Sequence, residues 1–213
     1  MIHRERPRIV TLVASPPAGT VRAAEPFIDA VLQVLADKRA AHNLVIRVSS
    51  VRDIDLALSR IFADSRQDQI RLQIIGHQLA GGLALAATWI PDHEVQARAF
   101  RFPYLVLDTN PAALGLLSKH AGKIAELMLV GCNIGAASTF GHAINGRTLT
   151  YTLAELLHCT VLGADDVVAP DELDDDGWYA PGAHRRAPKG WRWIEDAPPS
   201  WIDRTQRRRA KAA

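Results

Sequence analysis

The sequence predicts an α/β protein built on a single doubly wound, mostly parallel sheet with helices on both faces. Three observations lead there. Short, mainly apolar runs such as IVTLVA and LMLV read as strands buried on both sides. Stretches with apolar residues at helical spacing separate those runs, and alternation of this kind builds parallel sheets covered by helices. The chain of 213 residues is long enough to bury a substantial core in one domain.

Residues 9–14 (IVTLVA) are the first predicted strand, ended by Ser15, Pro16 and Pro17. Residues 23–40 carry Phe27, Ile28, Val31, Leu32, Val34 and Leu35 as a helical stripe, which Asn43 breaks. Residues 44–48 (LVIRV) are the second strand. Ser49 or Ser50 caps the next helix, in which Ile54, Leu56, Leu58, Ile61 and Phe62 recur. The third strand is 70–75, and after His77 the glycines Gly81 and Gly82 lead into a short hairpin arm at 83–87. Residues 91–103 are polar, bounded by Pro91 and Pro103, and read as a loop; 104–107 is a short strand. Thr109 and Asn110 with Pro111 start a helix that runs to about Ala121 and stops at Gly122. The fourth strand is 127–130, a helix covers 148–157, and the fifth strand is 160–163. The acidic segment 171–176 reads as a loop and 191–194 (WRWI) as a final strand. Residues 1–203 are read as one domain, and 204–213 as a basic, disordered tail.

Composition excludes several classes. With 48% apolar and 23% charged residues the chain is an ordinary globular one, and 25 basic against 23 acidic residues leave only +2. Nothing global therefore asks for nucleic acid or a membrane. Two cysteines, Cys132 and Cys159, are too few for a disulfide framework and suit a reducing cytoplasm, which is the expected location. The apolar run after the basic first eight residues is shorter than a secretion signal needs, and 79–90, broken by Gly81 and Gly82, is too short to span a bilayer.

The chemistry gathers at two strand ends. In an open parallel sheet, ligands bind beyond the carboxyl ends of the strands. His77 follows the third strand and Cys132 the fourth, each directly after a glycine. One helical crossover joins those strands, so they are read as neighbours, about 5 Å apart. Their side chains then emerge on one rim. A thiol needs a base or a lowered pKa to attack a carbonyl at neutral pH, and imidazole serves as that base and afterwards as the acid for a leaving amine. The turns after both strands expose N–H groups that suit a developing oxyanion. Either residue alone is more simply a small core cysteine or a backbone-satisfied histidine. Together they are the parts of a cysteine acyl-transfer enzyme, most simply a peptidase.

These motifs resemble the caspase-like cysteine peptidases, and most closely a bacterial domain family of uncertain function. That family reads Ser-His-Gly-Ser-Pro-Gly-Ser-Leu-x-Leu at its first site; GHQLAGGLAL matches it at His77, Gly81, Leu83 and Leu85. Its second site, Tyr-Gly-Cys-Asn or Tyr-Gly-Cys-Glu, is matched by Gly131, Cys132 and Asn133. Downstream, GADDVVA at 163–169 and GWRWI at 190–194 resemble the family's later turn and closing strand. The resemblance covers about residues 68–195. It implies a caspase-like α/β/α sandwich, a His77–Cys132 dyad with no fixed third acid, and an oxyanion held by the N–H groups of Gln78 and Cys132. The family's glycine after histidine is Gln78 in this chain, which keeps the N–H but adds a side chain at the cleft.

The expected activity is thus that of a cysteine endopeptidase acting on a peptide or protein. The alternative, favoured by Gln78, is a catalytically inactive caspase-like module that binds a peptide or partner protein. Asp165 and Asp166 lie on the same rim and suit a pocket for a basic side chain, although a solvated turn or a helix cap explains them more simply. The run DELDDD lacks calcium-loop spacing, and no C-x-x-C or H-x-x-x-H spacing exists, so no metal is expected. SPPAG after the first strand replaces a phosphate-cradling loop, so no cofactor is expected either. The Arg207–Arg209 run has no interleaved aromatic residue, which argues against nucleic acid. Trp191 and Trp193 share one strand face and read as core; Trp178 and Trp201, in loop-like sequence, are open to lining a cleft or a partner surface. The oligomeric state has no sequence signature.

Overall fold

The computed structural model describes residues 7–15, 26–37, 43–64, 69–79, 82–84, 106–107, 114–131, 146–163 and 168–179. Strand β1, Arg8–Ala14, buries every residue after its first. Helix α1, Pro26–Asp37, starts on proline, whose missing N–H costs nothing in a first turn, and buries Ile28, Val31 and Leu35 at spacings of three and four. Strand β2 is Asn43–Val48 and helix α2 is Val51–Asp64. Ser50 caps α2: its Oγ accepts the Asp53 N–H at 3.1 Å, while Asp53 Oδ2 accepts the Ser49 N–H at 2.9 Å. Burial pushes the Asp53 carboxyl up, but the hydrogen bonds from Ser49 and Ser50 outweigh it and hold the group below its ordinary value. Ser50→Ala should cost about 1 kcal/mol, read as a lowered thermal midpoint.

Strand β3, Ile70–Ile75, is followed after Gly76 by β4, His77–Leu79, and β5, Gly82–Ala84. These two pair antiparallel, and β5 pairs in turn with β6, Val106–Leu107. Strand β7 is Ile124–Val130, helix α3 is Gly146–Leu157 and strand β8 is Thr160–Gly163. The main sheet has the order β2-β1-β3-β7-β8 and is parallel throughout. The predicted α/β class and its two-sided helical cover hold. On one face, Leu12, Leu72 and Leu129 pack under α2 and α3; on the other, Val13, Ile75 and Val130 pack under α1 and residues 168–179.

Two elements differ from expectation. The fourth strand starts at Ile124 rather than at 127: Ile70 pairs with Ile124, the register shifts by one residue, and Glu126 then pairs with Arg71, whose guanidinium lies 3.0 Å from its carboxylate. The expected helix before it ends in a tighter coil. Leu117, His120, Ala121 and Lys123 each donate to the carbonyl three residues back, and Ser118–His120 is a 3₁₀ turn. Leu114, Leu117 and His120 are all buried. A spacing of exposed and buried residues in threes is what a three-per-turn coil, and not an α-helix, lines up on one side. Gly122, at φ 76°, stops the segment as expected.

Residues 168–179 do the work of a helix without being one. Trp178, for which the sequence left a cleft or a partner surface open, is buried, with the Arg71 guanidinium 4.0 Å from its ring centre. Asp174 organises the turn by accepting N–H groups from Asp176 and Trp178 at 3.0 and 2.8 Å. Gly177, at φ 75°, then reverses the chain so that Leu173 bridges Tyr179. The acidic run is therefore partly a scaffold. The predicted strand 191–194, Trp201 and the tail lie outside the described residues.

Candidate active site

The rim of the sheet is where β1, β3 and β7 end side by side. Val13 is aligned with Ile75, and Ile75 with Val130. The order of the sheet reverses between β1 and β3, the kind of switch point at which open sheets leave a crevice. The Gly76 N–H donates to the Val130 carbonyl at 3.0 Å, so the β3 backbone stays joined to β7 one residue past its last sheet position. Gly131 is buried at the end of β7.

His77 is the first residue of β4 and Gln78 the second, placed opposite Ala84 and Leu83 of β5. Leu83 anchors the arm by burying its side chain in the core beneath α2. The hairpin expected after Gly82 is present, but it begins at the histidine itself. Cys132, Asp165 and Asp166 lie outside the described residues. Cys159 is a buried thiol in the core under α3.

Two polar clusters went unseen in the sequence. Gln73, in the middle of β3, is fully buried. Its Nε2 donates to Thr11 Oγ1 at 2.7 Å and to the Gly177 carbonyl at 2.6 Å, and its Oε1 accepts the Tyr179 N–H at 3.2 Å. Thr11 Oγ1 in turn donates a hydrogen bond to Asn43 Oδ1 at 2.7 Å. On the other face, His120 Nε2 lies 2.9 Å from Asp55 Oδ1, and Lys119 Nζ 2.9 Å from Asp55 Oδ2. Burial lowers the His120 pKa more than Asp55 raises it, so the imidazole is neutral and donates its Nε2 proton. Burial raises Asp55, but hydrogen bonds from Lys119 and His120 with the Lys119 charge outweigh it and keep the carboxylate ionised. Both clusters are satisfied structural links, and neither reaches the rim. One polar letter in the run IRLQII was the only sequence trace of the first.

Among the described residues no group of three or more His, Cys, Asp or Glu side chains could hold a metal ion, and no helix is long and apolar enough to cross a membrane. No protein-family model matches the chain, and a search of curated proteins finds no match to it.

Proposed function

We propose that the chain is a cysteine endopeptidase in which Cys132 attacks the scissile carbonyl and His77 serves as base and then acid. The observation that carries this reading is the alignment of Ile75 with Val130, each followed by one glycine and then by His77 or Cys132. Neighbouring strands lie about 4.8 Å apart, so the chain leads into His77 and Cys132 from adjacent points of the rim. The Cys132 thiol proton passes to His77; the thiolate adds to the carbonyl carbon. The oxyanion draws on the N–H groups of Gln78 and Cys132. Collapse releases the amine with the proton from His77, and water then hydrolyses the thioester. The motif resemblance to caspase-like peptidases supports the same assignment. Asp165 and Asp166 are proposed as a subsite for a basic side chain.

A peptide bearing a thiol-reactive electrophile tests it. Cys132→Ala should abolish labelling, and His77→Ala should slow it roughly 10²–10⁴-fold. Cys159→Ala should leave the rate unchanged, since that thiol is buried. Labelling carried by Cys159, or Cys132 reacting no faster than a free thiol in both forms of residue 77, would overturn the reading.

A further inference from the structure

Strand β2 is an edge of the main sheet among the described residues. The Ser15 N–H donates to the Val48 carbonyl at 2.9 Å. In a parallel ladder the backbone groups of alternate residues face the same neighbour. Leu44, Ile46 and Val48 therefore face β1, while Asn43, Val45 and Arg47 turn their N–H and C=O groups to the open side. An unpaired row of this kind is a template for another strand.

A groove of about 510 Å³ lies beside that edge, between β2 and α2. Leu44, Ile46 and Ile61 line its apolar part and Leu56 one wall. Val45 and Leu56, 40% and 48% exposed, are two of the three exposed large apolar residues among those described. Arg60 also lines the groove, Arg47 borders it with its side chain on the Val45 face of β2, and neither is in an ion pair among the described residues. Asp53 lines it too, but its carboxylate is engaged by Ser49 in the α2 cap, which leaves Asp64 as the opposing acid.

We propose that this edge and groove take up an extended segment of another protein by strand addition, a segment that alternates apolar side chains with carboxylates. Side chains on one face of the added strand would fill the groove beside Leu44 and Ile46. Those on the other would stand beside Val45 and Arg47, where a carboxylate meets the guanidinium. A second copy of this chain fits less well. Two-fold pairing of β2 with itself sets Val45 on Val45 and Arg47 beside Asn43; NLVIRV offers no acid, and the two grooves merge unfilled. The site is separate from the rim and independent of the peptidase reading.

The test uses the full chain and two fluorescein-labelled octapeptides, one alternating glutamate with valine and one alternating lysine with valine. By fluorescence anisotropy the glutamate peptide should bind saturably and the lysine peptide at least about ten-fold more weakly. The double variant Arg47→Glu, Arg60→Glu should reverse that preference. Val45→Pro removes one outward N–H and leaves the bonds to β1, so it should weaken the glutamate peptide about ten-fold with the thermal midpoint nearly unchanged. Bound peptide should slow hydrogen exchange at Val45 and Arg47, and Cys132→Ala should leave the affinity unchanged. Equal binding of both peptides, protection elsewhere, or affinity lost in Cys132→Ala overturns the proposal. So does a dimer in sedimentation that Val45→Pro dissociates, which would give the edge to a second copy.

Discussion

Gln73→Leu should destabilise the protein by about 3–5 kcal/mol, since a buried donor or acceptor left without its partner costs about 1–3 kcal/mol each. Leucine fills nearly the same volume, so the loss is polar. It removes the Oε1 acceptor of the Tyr179 N–H, takes the strong bond from the Gly177 carbonyl and takes from Thr11 Oγ1 the donor it accepts from. The remaining Asn43 Nδ2 contact to Gly177 is long, at 3.4 Å. A loss of that size is a large fraction of a domain's stability. The urea midpoint should fall, and hydrogen exchange should rise first at Trp178 and Tyr179. Gln73→Glu should be worse at neutral pH, because it replaces the amide donor to Gly177 with a buried charge. A midpoint within the error of the parent chain would mean that the network only decorates the face it crosses.

Acid should weaken the fold in two stages, both through Asp55 and His120. The unfolded imidazole takes its proton near the ordinary value of 6.5, whereas burial keeps folded His120 neutral to lower pH. Below 6.5 the unfolded chain therefore binds more protons than the folded one, and stability falls until the pH passes the depressed folded value. Asp55, also depressed when folded, keeps its full contribution above the ordinary 3.8 and loses it as the pH drops further. Lys119 and Lys123 add positive charge around the imidazole and reinforce the first stage. Thermal midpoints measured from pH 7.5 to 3 should show both slopes. His120→Leu should flatten the upper one, and Asp55→Asn the lower. Asp55→Ala should cost about 2–4 kcal/mol at neutral pH, because it strips the buried Nε2–H of its acceptor and Lys119 of its charge partner.

What the sequence disclosed and what it hid divide along chain distance. The β3 and β8 runs were legible to the residue, since both are short, mainly apolar and set off by polar or glycine-containing sequence. Glycines at 81 and 82 announced the arm after β3. The α2 start was legible from Ser50 and the residues just after it. Gln73 was not, because its partners stand 62 to 106 residues away and nothing local marks a glutamine that will be buried. His120 and Asp55 are 65 residues apart and equally silent. Trp178 followed a run of aspartates, which hid a ring that stacks on Arg71. At the rim, the positions of His77 and Gln78 follow from strand β3 and its glycine. The proposed pairing of His77 with Cys132 draws on the alignment of Ile75 with Val130, a relation between two strands that neither strand's own letters could supply.

The latch between Gln73 and Gly177 also sets an order of events during synthesis. Strands β1, β2 and β3 leave the ribosome roughly 90 to 150 residues before the segment that roofs them. Until then Thr11 and Gln73 face water and are satisfied by it, so the half-finished layer pays no penalty for its polar stripe. Contacts of such long span are slow to close. A nascent chain halted before residue 168 should accordingly hold one finished layer and one hydrated, sticky one, making the interval before the roof arrives the point in this protein's life at which a chaperone has most to do.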